Sequence, residues 1–237
     1  YPLVTGVQTC ALPISMCTIM SQATTDMMVH IAQDHAPAGY TVVGATAANG
    51  PSMIINEVEL AAAATEVEAT WRSTQVPHAG VIISAFGDPG VMQVREASRP
   101  IPVVGICEAS MLEASEGGRR FGVATVTPDL VAAIDAKAHA LGLGALYTGA
   151  QLTPGEPRGL TADAGALEEA LSDAVRACLK DGAQAVIIGG GPLGQAAVRL
   201  AQRFDVPIIA PISAAMRRLS ARIAGGLAAP AGTAKRA

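Results

Sequence analysis

Three side chains able to move a proton stand at or just after apolar, β-branched runs: Asp88 in Phe86-Gly87-Asp88-Pro89-Gly90, and the neighbours Cys107 and Glu108 after Ile101–Ile106. A carboxylate or thiolate at such a strand end can act as general base or acid toward a carbon next to a carbonyl. Each has a structural alternative. Asp88 before Pro89 has the form of a helix N-cap, Glu108 suits a first helical turn where the dipole favours a carboxylate, and a free cysteine is among the most buried residue types. Around them the strand-end loops are rich in hydroxyl and small residues and poor in charge. Ser52, Ser84, Phe86, Thr125, Thr127, Gly189 and Gly191 are the candidates for holding a small polar or anionic ligand through hydroxyls and backbone N–H groups. The four histidines fall away from these ends, and neither they nor the four cysteines show metal-ligand spacing, so no metal is expected.

The elements that must position these residues are legible as apolar runs. Tyr40–Ala45, Gly80–Ser84, Ile101–Ile106, Phe121–Val126, Ala185–Ile188 and Val206–Ile209 read as strands buried on both faces. Val58–Trp71, Asp129–Leu141, Ala164–Lys180 and Gly194–Arg203 lie between most of them with helical spacing, and Asp88-Pro89 and Thr127-Pro128 read as helix starts. An internal repeat organises the set. At an offset of 105, Val81-Ile82-Ile83 matches Val186-Ile187-Ile188, Ile101-Pro102-Val103-Val104 matches Val206-Pro207-Ile208-Ile209, and Ala109-Ser110-Met111 matches Ala214-Ala215-Met216. The same offset would pair Phe121–Val126 with Met16–Ser21. The expected architecture is α/β: two pseudo-symmetric, Rossmann-like halves, 16–115 and 116–220, each a parallel sheet of about four strands flanked by helices, with the ligand cleft between them. Residues 221–237 lack periodicity and read as a flexible tail.

Composition excludes several classes. The 237 residues are 50% hydrophobic and 3% aromatic, with mean hydropathy +0.37 and net charge −4, which argues against disorder and against a nucleic-acid partner. No apolar run approaches the ~18 residues of a membrane span. Residues 1–71 contain no Lys or Arg and so lack the positive region of a secretory signal, and the cysteines show no paired spacing; a cytoplasmic protein with reduced thiols is the expectation. Self-association is left open. Tyr1–Ser15 fits poorly: VTGVQTCALPIS resembles a translated sequencing adapter, so 1–15 is read as an assembly scar. The run Gly189-Gly190-Gly191-Pro192-Leu193-Gly194 formally matches a dinucleotide loop but lacks the acid at the end of the following strand, and reads better as an anion nest.

Ser21–Met27, Gly50-Pro51-Ser52, Phe86–Gly90, Ile101–Ile106 with Glu108-Ala109, and Gly182-Ala183 before the Ala185–Ile188 run together resemble the aspartate/glutamate/hydantoin racemase superfamily, hydantoin and allantoin racemases in particular. The resemblance implies a cofactor-independent isomerase of amino acid derivatives, in which two cysteines flank the substrate carbon and exchange its proton across two faces. The matching positions here are Ala85 and Gly190, neither of which can carry a proton. The Asn-Pro-Asn-Thr run of the family is replaced by Cys17, Thr18, Ile19 and Met20. Three readings follow: a racemase with a relocated base (Glu108, Cys107 or Asp88), a decarboxylase-type variant, or a binding homologue without the chemistry.

Overall fold

A computed structural model describes residues 12–18, 21–51, 53–74 and 77–228. The first half runs β1 (Ile14–Thr18), α1 (Gln22–Gln33), β2 (Val42–Thr46), α2 (Glu57–Ser73), β3 (Gly80–Ile83), α3 (Val91–Ala97), β4 (Val103–Gly105) and α4 (Ile106–Ala114). The second repeats the order with one added short helix: β5 (Phe121–Thr125), α5 (Val131–Ala140), β6 (Tyr147–Leu152), α6 (Pro157–Thr161), α7 (Ala164–Lys180), β7 (Ala185–Ile188), α8 (Gly194–Leu200), β8 (Ile208–Ile209) and α9 (Pro211–Ala228). Both sheets are parallel, ordered β2-β1-β3-β4 and β6-β5-β7-β8. The repeat is thus a repeat of topology.

Parallel strands covered by helices on both faces need apolar residues at every position. Val81-Ile82-Ile83 and Val186-Ile187-Ile188 meet that need and are fully buried, each side chain contributing roughly 1.5–3 kcal/mol by leaving water. Helices begin where a side chain takes up orphan amides. Ser21 accepts from Thr24 N–H, Asn56 from Glu59 N–H, and Asp163 from Gly165 and Ala166 N–H.

The halves exchange their last helices. α4 ends the first half yet packs on β7 and β8, and α9 ends the second half yet packs on α1, β3 and β4. Leu219 of α9 lies so close to Gly80 of β3 that a Cβ there would stand 2.8 Å from its Cδ1. One hydrophobic cluster therefore runs through both halves, joining Ile82 and Val104 to Phe121, Ile187 and Met216.

The structure departs from several sequence expectations. β6 falls outside the expected strands. β1 pairs Ile14 with Gly80 whereas β5 pairs Phe121 with Ala185, so the two central strands correspond at an offset of 107, two residues from the extrapolated one. A two-residue shift preserves which face each side chain takes. α9 continues to Ala228, well inside the segment read as a tail, and Ile223 within it is buried. Asp88 is not the cap of the helix that follows it: Gly90 holds that position before α3. Ile14 and Ser15, the last residues of the adapter-like stretch, form the start of β1 and are buried; residues 1–11, with Cys10, lie outside the described residues.

Candidate functional site

The carboxyl ends of β2, β3, β5 and β7 face one another across a cleft. From the first half it is lined by Thr24 and Met28 of α1, Met53 and Ile54 after β2, and Ser84, Ala85 and Phe86 after β3. From the second come Val126, Thr127 and Leu130 after β5 and the run Gly189–Leu193 after β7. Ala85 and Gly190 thus stand on opposite walls, one from each half. The space open to the centre of a water-sized sphere is ≈ 40 Å³, against roughly 300–1,000 Å³ for a typical small-molecule pocket.

The walls are set by backbone geometry. In the first half Asp88 N–H donates to Ala85 O at 3.0 Å, closing a turn in which Gly87 (φ 111°) and Asp88 (φ 55°) both take positive φ. Asp is one of the few side chains that tolerates that region. In the second half Thr125 Oγ1 donates to Gly189 O at 2.8 Å and lies 3.2 Å from Thr127 Oγ1, while Gly189 N–H extends the β5 ladder by donating to Ala124 O. Thr125 is fully buried behind the lining and fixes the glycine loop. The glycines are required by close approach. A Cβ on Gly189 would stand 2.7 Å from Val123 Cγ1, and one on Gly191 2.8 Å from the Ser84 carbonyl oxygen, which is backbone of the opposite half. A Cβ on Gly194 would meet Ile31 Cδ1 at 2.9 Å. These contacts account for the glycine-rich run through packing between halves, without a dinucleotide. Gly190 differs. Its φ of 164° suits any residue, and a Cβ there would meet only the Leu193 side chain, at 2.9 Å.

Of the expected ligand-holding residues, Ser84, Phe86, Thr127, Gly189 and Gly191 line the cleft; Thr125 supports it, and Ser52 lies outside the described residues. Thr24, Met28, Met53, Ile54, Leu130 and Leu193 were not foreseen as lining. Only Thr24 carried a signal, through the Ser21–Met27 segment.

Asp88, Cys107 and Glu108 are brought together, but behind the cleft wall and not on it. Asp88 Oδ1 accepts from Cys107 N–H at 2.7 Å and Oδ2 from Glu108 N–H at 2.9 Å; Lys137 of α5 in the second half reaches Oδ2 at 3.2 Å. Glu108 turns back toward Gly105 N–H at 3.5 Å and pairs with Arg95 of α3. Two carboxylates thereby satisfy three amides at the start of α4, and two cations balance them. All three candidates are buried. Burial pushes the Asp88 carboxyl up, against the downward pull of Lys137 and the two amides. Burial likewise pushes the Cys107 thiol well above its ordinary range, and the nearby Asp88 carboxylate adds to this. Cys107 is therefore a thiol at neutral pH, while the thiolate is the form that removes protons. Cys107 and Cys178 are free, and no cluster of metal-ligating side chains occurs among the described residues. No helix among them is long and apolar enough to cross a membrane.

Comparison with known proteins places this geometry. A family model described as Asp/Glu/Hydantoin racemase matches residues 19–219. A hydantoin racemase of Rhizobium meliloti is 32% identical over 155 residues, 62% of this chain and 61% of that protein. A hydantoin racemase of Paenarthrobacter aurescens is 26% identical over 211 residues, 87% of this chain and 88% of that protein. Among solved structures, the allantoin racemase of Klebsiella pneumoniae superposes with a TM-score of 0.83 at 26% identity, covering 91% of this chain and 89% of that one.

Proposed function

Starting from the premise that the chain belongs to the Asp/Glu/hydantoin racemase family, we propose that it binds a compact carbonyl compound of the hydantoin or amino-acid-derivative class and does not racemise it by thiol chemistry. The observation that carries this reading is the make-up of the cleft: among the described residues, no side chain lining it can ionise near neutral pH. Racemisation needs a base on one face of the substrate carbon and an acid on the other, because a single group returns the proton to the face it left. Ala85 presents a methyl and Gly190 a hydrogen, one on each wall. The hydroxyls of Thr24, Ser84 and Thr127 are proton donors and acceptors in hydrogen bonds, but a hydroxyl becomes a base only beside another base.

What remains is a binding frame. Hydroxyls and the amides of the Gly189–Gly191 run suit the carbonyl and N–H groups of a cyclic ureide or the carboxylate of an amino acid derivative; Met28, Met53 and Leu130 suit its apolar face. The hydantoin and allantoin racemases that the chain resembles supply the ligand class. Asp88, Glu108 and Cys107 serve as supports of α4 and of the turn bearing Ala85 and Phe86. A relocated-base racemase would need one of them in the cleft, and a decarboxylase-type variant would also need a proton donor there. We read the protein as cytoplasmic, working without a cofactor, with reduced thiols.

Calorimetric titration with 5-substituted hydantoins, allantoin, aspartate and glutamate, run beside proton NMR in D₂O, tests this. Saturable binding of a ligand whose α-proton does not exchange is the expected result. Exchange that depends on Glu108 or Cys107 overturns it in favour of a relocated base, and absence of binding across the panel overturns the ligand class.

A further inference from the structure

A second cavity, of ≈ 530 Å³, opens where α4, α9 and β8 meet the segment joining the two halves, and it shares no lining residue with the cleft. Its floor is apolar: Ala109, Ile209 and Ala214 are buried there. Its rim carries three guanidinium groups, Arg119, Arg217 and Arg218, against two carboxylates, Glu113 and Glu116.

Two of the three arginines are committed. Arg217 gives Nε and Nη2 to the two oxygens of Glu113, at 3.0 and 2.6 Å. Arg119 closes the end of α4, donating to Ala114 O at 3.1 Å and Glu113 O at 2.7 Å, with Glu116 at 3.9 Å. Arg218 has no carboxylate partner among the described residues, and its Nε–H is buried with no acceptor. A buried donor left unmatched is costly, more so on a charged group. The arginines at the β4 edge of the first half show the contrast: Arg95 donates to Val103 O and pairs with Glu108, and Arg222 also donates to Val103 O.

We propose that this cavity is an anion site distinct from the cleft, in which Arg218 takes the carboxylate or phosphate of a small organic monoanion whose apolar body rests on Ala109, Ile209 and Ala214. The guanidinium fork matches either oxyanion. The volume falls in the range of small-molecule pockets.

The test is ¹H–¹⁵N NMR of arginine Nε–H groups in the full chain, with the Arg218 signal assigned by its loss in Arg218→Lys. The probes are sodium isovalerate and sodium phosphate, each against sodium chloride at matched ionic strength. The proposal expects a saturable shift of the Arg218 Nε–H in the low-millimolar range with at least one probe and none with chloride. It also expects affinity, followed by ligand-observed NMR, to fall about tenfold in Arg218→Lys, which keeps the charge and loses the fork. A shift that never saturates, an equal response to chloride, or unchanged affinity in Arg218→Lys overturns it. So does sedimentation showing a dimer that Arg218→Lys dissociates, because the acceptor would then belong to a second copy.

Discussion

The cleft and the cluster behind it are separated by a single turn, Ala85–Asp88, yet they have opposite chemistry. The cleft carries hydroxyls, amides and apolar walls without an ionisable side chain among its described residues. The cluster holds Asp88, Glu108, Lys137 and Arg95, and its two carboxylates are closed off from solvent. Charge is concentrated where the amides at the start of α4 need acceptors, and is absent from the described lining of the cleft. A carboxylate at a strand end is thus as much an answer to a helix terminus as a sign of catalysis. Lys137 reaches Asp88 from the other half, so the cluster also ties the two walls of the cleft together.

Breaking the cluster should cost stability, and altering the cleft should cost binding. The largest effect is expected for Asp88→Asn, whose amide cannot accept from both Cys107 and Glu108 N–H and leaves Lys137 unpaired. Urea denaturation should show a loss of about 3–5 kcal/mol; a variant as stable as the parent would remove the structural role given to Asp88. Lys137→Met should cost somewhat less, about 2–3 kcal/mol at pH 7, because the lysine is partly exposed. Its pH dependence sharpens the point. Asp88 already has a raised carboxyl pKa in the fold, and losing Lys137 raises it further. The unfolded chain then ionises Asp88 first, so the penalty of Lys137→Met should be small near pH 4 and grow as the pH rises toward 7. A penalty independent of pH would show that the lysine contributes by packing alone. Glu108→Gln keeps an acceptor for Gly105 and loses the charge opposite Arg95; about 1–2 kcal/mol is expected from the same denaturation curves. The smallest change in stability is expected for Thr127→Val on the cleft wall, within about 1 kcal/mol, with ligand affinity reduced about fivefold by calorimetry. The reverse pattern, with stability lost and affinity kept, would exchange the roles of the two regions.

Much of the architecture was readable because parallel strands buried on both faces leave continuous apolar runs, and the gap-free match of 81–111 with 186–216 exposed the duplication. β6 escaped because Tyr147–Leu152 is an edge strand, YTGAQL, half-exposed along most of its length and without an apolar run. The helical end of α9 escaped for another reason: Leu219 and Ile223 are buried by packing in the shared core of both halves, a tertiary contact that Ala- and Gly-rich local sequence does not announce. The strand-end loops were readable as cleft walls, since ligand sites in such sheets sit at the carboxyl ends. Met28, Met53 and Leu193 were not, because an apolar side chain gives the same signal in a core as in a cleft. Asp88 was readable as a helix cap, but its client is α4, 19 residues away, and that pairing exists only in three dimensions.

The central claim is that the cleft keeps a binding frame for the hydantoin class and lacks the two proton carriers. Deuterium incorporation at the α-carbon of a bound hydantoin, measured for the parent chain and for the Ala85→Cys/Gly190→Cys double variant, tests it most directly. Gly190 has a backbone open to a side chain and only Leu193 to displace. The account expects no exchange in the parent and exchange in the double variant, with either single variant far slower than both together. Exchange in the parent, or a folded double variant that binds the hydantoin and leaves its α-proton untouched, would contradict it.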